Sequence, residues 1–245
     1  MTHLTGIPAL LAVTFATLIA VSARAEAPSG SLSPFAATYE VSLNNLPFKA
    51  QAHQTLTALG NNRWHLELRV ESFLLDTVEV SDFRWDDANC HTVPEHYSYL
   101  RKGIGKNRRL DMQFDFDAHS VTRTDAKSTS TFPIIEGTED KLGHTLALAC
   151  RIARGARGTL AVDVAWDHDV RHFDYEVASA EETVKTPFGT YQALRMQRQR
   201  ADSDRITTSW LAETAGWQAV QMQHTEGDGR LFQLRLLDLT HVPAR

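Results

Sequence analysis

The chain has 245 residues, with 25 basic and 30 acidic side chains and a formal charge of −5 at neutral pH. That acidic balance argues against a general nucleic-acid binder, which carries a basic excess. A chain of this length buries roughly 70% of its unfolded surface, enough for a full core in one domain.

Residues 7–21, IPALLAVTFATLIAV, form an apolar run of 15, and Ala23-Arg24-Ala25 behind it is an A-x-A cleavage pattern. This reads as a secretory signal peptide over residues 1–25, cleaved after Ala25. The flank MTHLTG lacks Lys and Arg, and the competing reading is a membrane anchor. Against the anchor, a helical span needs about 20 residues. The remaining 220 residues hold 24 basic and 30 acidic side chains, and no later apolar run reaches 18 residues, so no transmembrane segment is expected in the mature chain. The expected location is the periplasm. EAPSGSLSP (26–34) is rich in Pro, Gly and Ser and reads as a disordered leader, ahead of one β-rich domain over residues 35–245.

From Phe35 onward apolar and polar residues alternate. TYEVSL places Tyr39, Val41 and Leu43 on one face; RWHLELRVE places Trp64, Leu66, Leu68 and Val70 opposite charged neighbours. RLDMQFDFD, HFDYEV, RITTSWL and LFQLRLLDL repeat the pattern. One wet and one buried face is the mark of antiparallel sheet. Turn signals such as Gly60-Asn61-Asn62 and Gly227-Asp228-Gly229 separate these runs. The expected fold is therefore mainly β: a large antiparallel meander that curls, as accumulated twist requires, into an open or partly closed barrel.

RKGIGKNRR (101–109) places five basic residues around two glycines. Arg101, Lys102, Lys106, Arg108 and Arg109 are candidate anion contacts, although glycines at a basic turn also suit a solvated hairpin tip. TEDKLGHTLALACRIARGARG breaks the alternation, with Leu142, Leu146, Ala149 and Ala153 at helical spacing. Acids at Glu139 and Asp140, bases at Arg151 and Arg154, and Gly155 behind them are what helix ends favour. One helix is expected near 139–154, packed on the sheet. Cys90 and Cys150 are the chain's two cysteines. In an oxidising compartment they are a candidate disulfide pinning the helix to the turn after DFRW; two separate thiols are the alternative.

WDHDVRHFDYE (166–176) gathers Asp167, His168, Asp169, His172 and Asp174. These types can bind a divalent metal, but on a hairpin they diverge, and a solvated acidic turn is the plainer reading. KTPFGTYQA (185–193) reads as a hairpin rather than a reactive loop around Thr186, Thr190 and Tyr191. Pro187 presets the first turn position, and Gly189 is expected left-handed, admitting a bulge. No G-x-S-x-G, H-E-x-x-H, G-x-G-x-x-G or P-loop occurs, so no catalytic residue, cofactor or metal is assigned. Of five tryptophans, Trp64 and Trp210 fall on the apolar phase. With Phe114 and Phe232 they are candidates to line a cavity for an apolar ligand.

Three features carry a resemblance to a known family. They are Thr-Pro-x-Gly-Thr-aromatic at 186–191, a Thr-x-x-Trp strand ending at Trp210, and a strand running into the acidic-glycine turn before LFQLRLLDL. Together with PFAATYEVSLNNLPFKA and the single helix, they resemble exported bacterial proteins containing domain of unknown function 3108. The resemblance covers roughly residues 34–241; it departs at Gln218-Ala219, where a Pro would be expected. It implies a curved antiparallel sheet on a helix, similar to the open barrels of periplasmic lipoprotein carriers, and it carries no catalytic residues. The functional expectation is a non-catalytic periplasmic binding or envelope-maintenance protein holding an acyl chain or lipoprotein anchor. The alternatives are a module that binds an envelope protein, or a hydrolase with a dispersed site.

Overall fold

The computed structural model describes residues 32–43, 49–73, 75–103, 105–199 and 204–241. The signal-peptide segment and most of the leader lie outside the described residues. Leu32, expected in that leader, packs against the core because it is an apolar residue beside an open pocket wall.

Alternation of side chains produces strands throughout. The first half supplies β1 (Phe35–Leu43), β2 (Lys49–Gly60), β3 (Arg63–Glu71), β4 (Leu75–Asp86) and β5 (His91–Gly103). The shorter β6 (Arg108–Asp115), β7 (Ser120–Asp125) and β8 (Thr129–Pro133) follow. After helix α1 (His144–Ala153) come β9 (Gly158–Ala165), β10 (Val170–Lys185), β11 (Thr190–Gln199), β12 (Ile206–Leu211), β13 (Ala219–Thr225) and β14 (Leu231–His241). All join one 14-stranded sheet, in the order β8 to β1, then β14 down to β9. Every strand pairs antiparallel with its neighbour, and β14 returns to pair with β1, Ala37 opposite Leu239 and Val41 opposite Leu234. The ends, β8 and β9, do not pair, so the sheet is an open curved wall rather than a closed barrel. The β2–β3 turn follows its sequence signal: Gly60, Asn61 and Asn62 all take the left-handed conformation that Gly and Asn adopt at low cost.

The helix lies within this curve. Leu142, Leu146 and Cys150 join a core with β1–β7 side chains such as Tyr39, Leu66 and Met112. Leu148, Ala149 and Ile152 join a second core with Val162, Tyr175 and Leu194 of β9–β11. A single apolar stripe was expected; burial is wider because the sheet wraps two sides of the helix. Its C-terminus is as read: Ala156 N donates to Arg151 O at 2.9 Å and Gly155 N to Ile152 O at 3.0 Å, with Gly155 at φ +94°. That pair of bonds is the Schellman closure that glycine favours.

The start of the helix differs from expectation. It begins at His144, five residues after Glu139. Glu139 instead bridges the free edge of β9, donating its N–H to Asp163 O at 2.9 Å and accepting from Ala165 N at 2.8 Å. The Asp140 carboxylate accepts from Leu142 N at 2.8 Å and Gly143 N at 2.7 Å, capping the turn that enters the helix.

The β10–β11 turn also differs. Gly189 is not left-handed, and pairing runs unbroken from Val184–Tyr191 to Lys185–Thr190. The bulge lies further down, between Val177 and Glu181. Thr186 closes the turn, its N–H donating to Gly189 O at 2.8 Å and its hydroxyl accepting from Gly189 N at 3.2 Å. Phe188 N, next to Pro187, docks the tip on Leu236 O at 3.2 Å. A Cβ on Gly189 would meet only the Tyr191 ring, at 3.6 Å, an ordinary contact. Gly189→Ala is therefore expected to leave stability within about 0.5 kcal/mol of the parent by urea titration. A loss of several times that would restore a left-handed requirement.

Candidate functional site

A cleft of about 440 Å³ opens where the N-terminal end of α1 meets the concave face of the sheet. Its apolar floor includes Leu68, Leu142, Leu148, Met196 and Met222. Tyr97, Tyr99, Trp166 and Tyr175 stand around it. It shares Leu68, Leu142, Thr145, Met196, Ser209 and Met222 with a narrower, largely apolar pocket of about 90 Å³. That pocket in turn shares Leu146, Ala149, Trp217 and Gln218 with a third, of about 220 Å³, near the C-terminal end of α1. Apolar space therefore follows one side of a ten-residue helix that is about 15 Å long.

Charged groups gather at the wide end. Asp167 accepts from Lys141 Nζ at 2.5 Å and pairs with Arg108 at 2.6 Å. Against the opposing effect of partial burial, these two cations hold the Asp167 carboxyl at about 2. Burial pulls the Lys141 ammonium below its ordinary range; it also sits 4.4 Å from the Trp166 ring centre. Glu79 accepts from the Tyr97 hydroxyl, and burial raises its carboxyl. On the far wall Arg198 lies over Phe173, 4.2 Å from the ring centre.

On the helix side of the cleft wall, burial depresses His144 to about 4, so the ring is neutral. Its Nδ1–H donates to Asp140 O at 3.1 Å, and its Nε2 accepts from the Tyr175 hydroxyl at 2.8 Å. Glu139 and Asp140 are fully buried. Glu139 accepts from Thr92 Oγ1 at 2.7 Å and lies 2.9 Å from His91 Nδ1 and 3.5 Å from Arg151. Asp140 accepts from Ser81 Oγ at 2.5 Å. These buried acids position the helix and line none of the three pockets described above.

The residues singled out in the sequence fall in several places. Trp64 pairs across the ladder with Phe83 and packs against the core without lining any of the three pockets. Trp210 lies between the lining residues Ser209 and Leu211, so it takes the opposite face of β12. There its indole N–H donates to Glu182 at 3.0 Å. Phe114 stacks near Phe116, with ring centres 6.4 Å apart. Phe232 stands beside His224 at the cleft's rim. The lining tryptophans are Trp166 and Trp217, which alternation does not mark because both lie in turns.

Of the basic hairpin, Arg108 turns into the cleft, while Lys102, Lys106 and Arg109 are exposed and Arg101 donates to Lys106 O at 3.4 Å. Phe73, fully exposed at the β3–β4 turn, lies at the same end of the sheet, where Leu75 pairs with Gly103. Cys90 and Cys150 are joined, with Cα atoms 5.5 Å apart. The 167–174 cluster is divided: Asp167 faces the cleft, Asp169 binds Arg171, and His172 lies between Asp163 and Asp174. Among the described residues no three His, Cys, Asp or Glu side chains converge as a metal site, and no helix is long and apolar enough to cross a membrane.

No curated protein matches the chain. A family model described as "protein of unknown function (DUF3108)" matches residues 38–236, which take in β2 to β13, α1, the 186–191 turn and parts of β1 and β14. The chain belongs to the DUF3108 family.

Proposed function

We propose that this protein is an exported, non-catalytic binding protein that holds an apolar chain between α1 and the concave face of its sheet. The observation that carries the reading is the succession of pockets along one side of the helix, sharing linings of Leu, Met, Ala and Trp. A cleft of 440 Å³ is within the usual size of small-molecule sites, and a mostly apolar lining with a few polar groups is their usual character. Export is supported by the apolar run 7–21 with its Ala23-x-Ala25 pattern, and a periplasmic setting suits a structural disulfide.

Mass spectrometry of material extracted from the natively purified protein is expected to find a chain-bearing lipid or fatty acid at near-stoichiometric yield. Ala149 borders both of the narrower pockets. Ala149→Phe should fill that space and lower the affinity for a long-chain fluorescent probe at least tenfold, while a short apolar dye still enters the wide cleft. A probe that binds the variant and the parent equally would sink the reading.

A second reading, a module that binds an envelope partner, is favoured by exposed Phe73 at the end of the sheet that also carries exposed Lys102 and Lys106. An exposed aromatic flanked by cations is a common docking feature. In-cell crosslinking through residue 73 discriminates: a stable stoichiometric protein adduct supports this reading over the carrier.

A further inference from the structure

We propose that the bound molecule is a single-chain amphiphile with an anionic head, and that Arg198 receives that head in the cleft. The inference rests on the carrier reading and adds the chemical class of the ligand.

The charges around the cleft do not balance. Arg108 and Lys141 share one carboxylate, Asp167. Glu79 is engaged by Tyr97 and stands on the side of Lys141 and Arg108, away from Arg198. Arg198 has no carboxylate within ion-pair distance among the described residues. Its guanidinium is flanked by the Phe173 and Tyr175 rings, 4.2 and 5.7 Å from their centres. Its Nε is buried with no hydrogen-bond partner. An orphaned N–H in a desolvated site is costly, more so on a charged group. A carboxylate or phosphate oxygen is the partner that a guanidinium fork fits best.

The neighbours of Arg198 suit the same head. Arg198 is paired across the ladder with Thr207, and Thr207 with His224; all three line the cleft. Thr207 Oγ1 and His224 Nδ1 are 2.9 Å apart, so hydroxyl and imidazole stand beside the guanidinium as further polar contacts. Two residues back along β11, on the same face, Met196 lines both the cleft and the narrower pocket. An anion at Arg198 thus has apolar space directly behind it. A cationic head would meet Arg108, Lys141 and Arg198 together, and a neutral one could accept from Nε but would bring no charge to match the guanidinium. Arg123 is the other guanidinium with orphaned buried nitrogens, but it pairs with Asp125 and lines none of the three pockets.

Two ligands share this chemistry, a long-chain carboxylate and a lysophospholipid phosphate. The test uses the delipidated full mature protein and displacement of a fluorescent apolar dye by palmitate, palmitoyl lysophosphatidate, monopalmitoylglycerol and hexadecyltrimethylammonium. Both anions are expected to bind at least tenfold more tightly than the neutral glyceride and the cation, and the tighter anion identifies the source. Arg198→Gln should remove that tenfold preference while leaving affinity for the glyceride unchanged, which also shows that the variant is folded. Arg198→Lys should retain part of the preference. Equal affinity for anion and glyceride, or an anion preference that survives in Arg198→Gln, overturns the assignment but leaves the carrier reading in place. If no amphiphile displaces the dye, both fall.

Discussion

Replacing Cys90 and Cys150 together with Ala is expected to lower stability by about 4 kcal/mol. The bond closes a loop of 60 residues, and in the chain-entropy argument a loop of that length restricts the unfolded state by about that amount. A domain with a total of roughly 5–15 kcal/mol loses much of its margin. The bond also belongs to a wider clasp between α1 and the β4–β5 turn. Arg154 donates to Ala88 O at 3.1 Å and pairs with Asp87 at 3.3 Å. The residues following each cysteine, His91 with Thr92 on one side and Arg151 on the other, converge on buried Glu139. Cutting the bond should therefore loosen the helix first and the sheet second. Urea titration of the double variant, beside the parent with and without reductant, checks this: the reduced parent should follow the variant. Coincident curves for all three samples would mean that the bond contributes nothing.

The limits of what the sequence reveals follow from the same contacts. Strands are legible because alternation is local; so are the Gly60-Asn61-Asn62 turn and the Gly155 helix end, where one residue's backbone preference decides the geometry. The helix start is not. Glu139 and Asp140 have the residue types of a helix's first turn, but partners distant in sequence, Thr92 and Ser81, draw both into the core. The pocket lining is illegible for another reason. Alternation marks two faces without saying which is concave, and in β13 a register shift that passes from Gln221 to Ala219 resets the phase beside the pocket. Arg108, Lys141 and Arg198 come from β6, the loop before α1, and β11. No local pattern could bring them together; only the curvature of the sheet does.

Stability should vary little with pH between about 4 and 6 on account of Asp140 and His144, because two large terms oppose one another there. Burial raises the Asp140 carboxyl from 3.8 to about 6, with nearby Glu139 adding to it against hydrogen bonds from Gly143, Ser81 and Leu142. The folded state then holds this proton more tightly than the unfolded state. Its contribution is greatest below pH 4 and is lost as pH rises through 6, by about 3 kcal/mol. Burial lowers His144 from 6.5 to about 4, with Arg198 adding to it and Glu139 opposing. Here the unfolded state binds the proton more tightly, so stability is gained as pH rises from 4 to 6.5, again by about 3 kcal/mol. Asp140→Asn keeps an oxygen for the Leu142 and Gly143 amides and removes the falling term; its stability relative to the parent should climb across pH 4–6. His144→Gln removes the rising term and should decline relative to the parent over the same window. Chemical denaturation at half-unit intervals reads both slopes. Difference curves that run parallel would show that the buried pair does not titrate in opposition, whereas divergence would make this polar seam at the cleft wall the reason that the helix stays docked across mildly acidic conditions.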